Sequence, residues 1–422
     1  MYQIWRLKNG LTVAALEMSH MASVSVGIWV GIGGRYEPEP ISGAAHFIEH
    51  MLFKGTRRRS AREISQAVEG IGGYLNAFTS EEHTCFYSKA RHNRWEELLE
   101  VLSDMFLHST FEPVEIEKER GVIREELAMY LDQPQHYVHE ILNETLWPNQ
   151  PLGRSITGSE KTLTAMTREQ LLDFRKLNYV GCNTLIVIAG NIAPRKFIQV
   201  VRGLAKKFPG GKHPTFAPAS STQTKPAVRL FQKNVEQTHL ALGVRTCSRH
   251  DDRRFALRLL STILGENMSS RLFQVVREDH GLAYNIYSHP SFFDDTGDLV
   301  VSAGVDTDKL EKSLKLILRE MQQLAQRPPP ASELRRARDY VIGQLDLSLE
   351  GTENQMMWIG ENLLAYGKIF RPSEVKQRLT EVTAGQIRAV AREFFRPERL
   401  SLALVSPLKT AHRLEKHLQF RG

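Results

Sequence analysis

The feature that most restricts how this chain can fold is an element order that occurs twice, 216 residues apart. Ser23-Val24-Ser25-Val26-Gly27-Ile28 alternates like a strand, and Gly27 meets Gly243 at that offset. The same step takes Thr167 and Gln170, a helix-opening pair, onto Thr383 and Gln386. It takes the apolar run 185–189 onto 401–405, and the helical patterns at 95–106 and around Glu119 have counterparts at 310–324 and 333–345. Between the copies, residues 209–226 are rich in Pro, Gly, Ser and Thr and read as a linker. Strands and helices mixed in each copy predict an α+β fold of two similar domains. The expected division is 1–208, a linker at 209–227, and 228–422.

Only the first copy carries a cluster of metal-binding residue types. In His46-Phe47-Ile48-Glu49-His50, residues three and four apart share one helix face, so His46, Glu49 and His50 project together while Phe47, Ile48, Met51 and Leu52 turn inward. Two imidazoles so spaced can grip one zinc ion, and a carboxylate between them can act on its water. This is the H-x-x-E-H order of the inverted zinc peptidases. Near the matching place in the second copy the chain reads Ser261-Thr262-Ile263-Leu264-Gly265, without histidine, so one zinc per chain is expected.

A catalytic zinc site takes three protein ligands. The run 115–130 reads as a helix whose apolar arc is filled by Ile116, Val122, Ile123, Leu127, Met129 and Tyr130. Glu119 and Glu126 fall near the centre of that arc, whereas Glu117, Arg124 and Glu125 lie outside it. A carboxylate on a core-facing stripe is costly unless it is paired or bound to metal. That selects Glu126 as the third ligand over Glu125 and leaves Glu119, two turns away, as an outer group.

These residues resemble the M16 peptidase family, which includes pitrilysin, insulin-degrading enzyme and the mitochondrial processing peptidase. The resemblance rests on His46 to His50 followed by Met51-Leu52-Phe53-Lys54-Gly55-Thr56, and on a distal Glu, here Glu126, 76 positions beyond His50. It continues through Gly72-Gly73-Tyr74-Leu75-Asn76-Ala77-Phe78-Thr79, Ser269-Ser270-Arg271-Leu272-Phe273 and Arg277-Glu278-Asp279-His280-Gly281-Leu282-Ala283-Tyr284. In length the chain matches the subgroup of processing peptidases and their bacterial relatives. The resemblance implies that each domain is a mainly antiparallel sheet backed by helices. It implies zinc on His46, His50 and Glu126, Glu49 as general base, and Glu119 assisting catalysis without touching the metal. It also implies that Asn76, Ala77, Phe78 and Thr79 form a strand edge that pairs with a peptide substrate, and that Arg277 and Tyr284 contact substrate near the scissile bond. In the family a matching domain of a second half-shell completes the site, so a homodimer enclosing a chamber is expected. The expected function is a zinc metalloendopeptidase acting on unfolded or presequence-like peptides. The alternative is a non-catalytic assembly subunit of the same fold.

Composition narrows the remaining classes. The chain has 422 residues, is 41% hydrophobic and carries a net charge of +7. No run approaches the ~18 apolar residues that a membrane span needs, and the first residues show no signal-peptide pattern, so a cytoplasmic location is expected. The basic run Lys54-Gly55-Thr56-Arg57-Arg58-Arg59-Ser60-Ala61-Arg62 ends in a capping box at Ser60 and Glu63 and reads as a solvated loop between helices. No nucleic-acid motif accompanies it. Cys85, Cys182 and Cys247 are widely spaced and read as buried small residues. His136-Tyr137-Val138-His139-Glu140 follows a turn at Asp132-Gln133-Pro134 and reads as a helix surface, and Gly31-Ile32-Gly33-Gly34 lacks the phosphate-loop spacing. The C-terminal stretch 408–420, with Leu414, Leu418 and Phe420 on one side, reads as a packing helix.

Overall fold

A computed structural model describes residues 2–419. Among these residues eleven strands form two sheets: β1 (Tyr2–Arg6), β2 (Thr12–Glu17), β3 (Ser23–Val30), β4 (Tyr74–Thr79), β5 (Thr84–Arg91) and β6 (Thr184–Gly190) in the first. The second holds β7 (Ala227–Gln232), β8 (Thr238–Thr246), β9 (Ala283–Phe292), β10 (Gly297–Val305) and β11 (Ser401–Ser406). Their orders are β1-β2-β6-β3-β5-β4 and β7-β11-β8-β10-β9. Apart from β1, the two orders superpose strand for strand. In each sheet only one pair is parallel, β2 with β6 and β7 with β11. Both helix-opening pairs are capping boxes, Thr167 with Gln170 and Thr383 with Gln386.

The chain divides into two compact units whose segments interleave. One comprises residues up to 127, 154–217 and 347–369; the other comprises 128–153, 218–346 and 370 onward. A single linker at 209–227 holds one of the crossover points, between 217 and 218. The others set apart two helices that correspond across the repeat, Pro134–Leu146 and Thr352–Tyr366. Each covers the sheet of the other sequence half.

In the first unit, alternation along β3 puts Ser25, Gly27 and Trp29 on one face of the sheet. There the Trp29 indole N–H donates to Met356 Sδ at 3.4 Å, and Ser25 Oγ lies 3.0 Å from Thr352 Oγ1. A Cβ on Gly360 would stand 2.2 Å from the Trp29 ring, so a glycine is needed for the helix to approach this closely. The opposite face of the sheet packs on the helix Trp95–His108, where the Phe86 and Phe106 rings meet edge to face. In the second unit, Ala241, Val300, Ala403 and Val405 take the apolar side of Pro134–Leu146, namely Val138, Ile141, Leu142 and Leu146. Leu240, Leu242 and Val244 face the other way, towards Leu314 and Ile317 of Leu310–Gln326.

Some smaller expectations hold and others need correction. His139 is not on a helix surface: its Nε2 lies 3.1 Å from Ser302 Oγ and 3.3 Å from Tyr287 Oη, and burial followed by neighbouring His289 and His136 lowers its imidazole to about 4. The basic run is a loop, as the Ser60–Glu63 capping box indicates, but it is not merely solvated. Arg58 and Arg59 pair with Glu100, and Arg59 also pairs with Asp104 at 2.7 Å. All three cysteines are free, and Cys182 is half-buried rather than buried. The glycines at 31–34 serve close packing: a Cβ on Gly33 would sit 2.0 Å from the Ser80 carbonyl. Leu414 and Leu418 are buried and the final helix is short, His412–Glu415; Phe420 lies outside the described residues.

Candidate metal centre

The helix Ala44–Leu52 buries Ala44, Ala45, Phe47, Ile48, Met51 and Leu52, which leaves His46, Glu49 and His50 on the remaining face. Its first turn has no cap from Gly43, whose φ of 97° is left-handed. Instead Glu37, six residues upstream, accepts hydrogen bonds from the backbone amides of Gly43 and Ala45, both at 2.7 Å. Burial pushes the Glu37 carboxyl up to about 8, against the pull of those two amides and of Arg154.

Glu119 and Glu126 come from the helix Pro113–Asp132. At about 100° per residue the expected apolar arc splits in two. Ile116, Ile123 and Leu127 are buried with Glu119 beside them, whereas Val122, Met129 and Tyr130 are exposed. This corrects the sequence reading: Glu119 lies on the buried side, and half-buried Glu126 stands at the border with the open side.

Three of these side chains converge. Glu126 Oε2 lies 3.5 Å from His50 Nε2 and 3.9 Å from His46 Nε2. Ligand atoms about 2.1 Å from one tetrahedral ion stand about 3.4 Å apart, so these spacings fit zinc. One ligand atom from each of His46, His50 and Glu126 lies within 4.8 Å of the other two, and among the described residues no other such group of His, Cys, Asp and Glu occurs. Two imidazoles and one carboxylate also form a donor set that zinc favours.

The support around the ligands is unequal. Glu119 Oε2 is 3.1 Å from His50 Nδ1, and its Oε1 accepts from Lys54 Nζ at 2.7 Å. This leaves His50 Nε2 for the metal position, the carboxylate–histidine arrangement that fixes tautomer and ring orientation. His46 Nδ1 is buried with no partner. Burial, then the neighbouring His50, lowers the His46 imidazole to about 4, so it stays neutral and able to ligate near neutral pH.

Glu49 accepts a hydrogen bond from Thr79 Oγ1 at 2.5 Å. Burial raises its carboxyl above the usual range, while Thr79 and His50 pull it down and Glu126 pushes it up. Thr79 ends β4, which pairs with β5 and, among the described residues, with no other strand, so its second edge is open. Asn76 is exposed and Ala77 and Phe78 are half-buried. Phe78 points its ring at Trp29, Tyr87 and His83, so its side chain serves the packing of the strand. The Ala77 amide donates to Asn76 Oδ1 at 2.8 Å.

Arg277 and Tyr284 belong to the second unit, near the start of β9. The Arg277 guanidinium carbon lies 5.2 Å from the Tyr284 ring centroid and 4.6 Å from that of Phe273. Tyr284 is 80% exposed, so the pair presents a stacked cation and a phenol to whatever approaches. Both line a groove of about 290 Å³ beside Gln237 and Asp306.

Sequence reasoning missed Glu37 and the side-chain role of Thr79. It also missed His83, whose ring lies 5.4 Å from the Trp29 ring and whose burial lowers it to about 4. An unfolded-chain histidine titrates near 6.5. Between those values the unfolded chain holds the extra proton, so stability falls as pH falls through this window. Urea unfolding at pH 7 and pH 5 is expected to show a His83 contribution of about 2 kcal/mol to that loss, absent in His83→Gln. An equal loss in both proteins would discard His83 as its source.

Comparison with known proteins gives this geometry a family. Residues 12–160 match the model for insulinase, peptidase family M16, and residues 165–341 match the model for the M16 inactive domain. A zinc protease of Bacillus subtilis is 36% identical over 96% of this chain and 98% of its own length. One from Mycobacterium tuberculosis is 34% identical over 98% of this chain and 95% of its own. Among solved structures, a protease from Helicobacter pylori aligns with a TM-score of 0.90 at 21% identity, covering 96% of this chain and 99% of that one. The shared fold, two matching family models and relatives of this identity along almost the full length place the chain in peptidase family M16, the insulinase family.

Proposed function

We propose that this M16 zinc protease is an endopeptidase of the processing-peptidase type, cutting unfolded or presequence-like peptides at a single zinc held by His46, His50 and Glu126. The observation that carries the reading is the convergence of those three donors, with Glu49 beside His46 and His50 on one helix face. Zinc held there would supply Lewis-acid polarisation of a carbonyl and would make a water molecule more acidic. The Glu49 carboxylate would accept a proton from an attacking water and pass it to the departing amine. Glu119, itself held by Lys54, keeps the His50 ring in one orientation.

Substrate handling follows from two further features. The open edge of β4 offers main-chain hydrogen bonds to an extended peptide, which asks little of its side-chain sequence. Arg277 and Tyr284 offer donors for charge that develops on the cleaved amide. In a homodimer each copy lends this pair to the other's metal site, inside a closed chamber. That pair and the metal residues are all present in one chain, which favours two identical active copies over an active–inactive pairing and over an assembly subunit. The described residues contain no helix long and apolar enough to cross a membrane. Three free thiols suit the reducing cytoplasm that this reading assigns.

The test is a metal titration with a peptide readout. The purified chain is expected to hold about one zinc and to cleave a quenched, unstructured peptide, to lose cleavage on chelation and to regain it with zinc. A folded protein of the same sequence length should resist. Zinc absent at neutral pH, or cleavage that survives chelation, would overturn the assignment.

A further inference from the structure

We propose that Glu37 is a positioning residue for the zinc site: it fixes the start of the His46–His50 helix and thereby the spacing of the two imidazoles. The inference rests on the metal assignment above but concerns a residue outside the H-x-x-E-H segment and its distal Glu.

Most helices are capped by the residue that precedes them, through Ser, Thr, Asp or Asn. Here that residue is Gly43, which is left-handed and where a Cβ would stand 2.7 Å from the Thr157 carbonyl. No side chain at position 43 can therefore satisfy the orphaned amides of the first turn. Glu37 does so from within the protein. Its two oxygens accept one amide each, Oε2 from Gly43 and Oε1 from Ala45, and the residue is 3% exposed. At 2.7 Å both bonds lie at the short end of the range for an amide donor.

Glu37 is itself tied down. Its carbonyl accepts from the Arg154 guanidinium at 2.5 Å. Two residues earlier, the Arg35 amide donates to the Glu81 carbonyl at 2.8 Å, and the Arg35 side chain pairs with Glu82 at 2.7 Å. Those acids lie in the turn that follows β4, whose Thr79 holds Glu49. One rigid strap thus links the loop beyond the open strand edge to the first turn of the metal-binding helix. His46 follows Ala45 directly, so a shift of the Ala45 amide carries His46 with it. Displacements of about 1 Å at a reacting centre cost about 100-fold in rate.

Glutamine has the shape of Glu37 but only one acceptor oxygen, and its NH₂ must then face one of the two amides. Glu37→Gln is expected to weaken zinc binding about 10- to 100-fold, the loss typical of residues that orient ligands. Zinc affinity is read by competition with a chromophoric chelator, and kcat at saturating zinc should fall while KM for the peptide changes less than about two-fold. Glu37→Asp, whose oxygens cannot span both amides, should lie between the two and guards against a glutamine variant that fails to fold. A core truncation in β6, Ile188→Val, calibrates stability: it should lower Tm while leaving zinc affinity at the wild-type value. Wild-type zinc affinity in both Glu37 variants would overturn the proposal, as would a loss that Ile188→Val reproduces in proportion to its fall in Tm. If the wild-type chain itself holds no zinc, the metal assignment fails instead, and the two failures are told apart by that one measurement.

Discussion

Glu49→Gln is expected to lower kcat for peptide cleavage by about 10²- to 10⁴-fold, the contribution of a positioned general base, while leaving about one zinc per chain. The amide keeps the size of the carboxyl and can still accept the Thr79 hydroxyl bond now made at 2.5 Å. What it loses is the ability to take a proton. Glu49 has no part in the triangle of donor atoms formed by His46, His50 and Glu126, so metal content should not follow activity. Burial raises the Glu49 carboxyl above its usual range. The measurement pairs metal analysis with turnover of a quenched peptide on the same sample. A variant that cleaves at more than a tenth of the wild-type rate removes Glu49 from proton transfer; one that loses zinc assigns it to the metal instead.

The sequence discloses this half of the site because local spacing decides it. Residues 46, 49 and 50 share a face on any helix, and the apolar residues between them have one direction to turn. The repeat was readable for a related reason: strand alternation at Gly27 and Gly243 and the Thr–Gln capping pairs are properties of short windows. Which sheet a helix covers is not such a property. Pro134–Leu146 shows an ordinary apolar stripe at Val138, Ile141, Leu142 and Leu146, and nothing within it states that the stripe meets Ala241 and Val405. The exchange with Thr352–Tyr366 depends on contacts between residues far apart along the chain, such as Met356 with Trp29.

Glu37 was illegible for a different reason. It lies in a stretch with Gly33, Gly34, Pro38 and Pro40, where no period separates inside from outside, and a charged residue there reads as exposed. Its burial follows from an unfilled cap six residues later, which the glycine at 43 only hints at. His139 failed by the same logic in reverse: a polar run on a helix reads as solvent-facing until a strand such as β9 is laid against it.

Glu126→Ala is expected to release the zinc, and Glu125→Ala to keep it. Both are glutamates at the same stage of one exposed-looking acidic helix, so composition and net charge change identically in the two variants. Only direction differs. The Glu126 carboxylate is 33% exposed and 3.5 Å from His50 Nε2, whereas Glu125, about 100° round the helix, is exposed. Removing one of three ligands leaves two imidazoles, and the loss should exceed the ~10- to 100-fold that outer residues cost. Zinc affinity and peptide turnover should therefore collapse together in Glu126→Ala and both survive in Glu125→Ala. The half-open helix arc makes the comparison clean: Glu126 stands at the edge of the buried stripe and supports no core packing of its own, so its truncation should leave the unfolding transition of the zinc-free chain within about 0.5 kcal/mol. Zinc retained by Glu126→Ala would leave the two histidines without a third protein ligand and would remove the hydrolytic reading of the site.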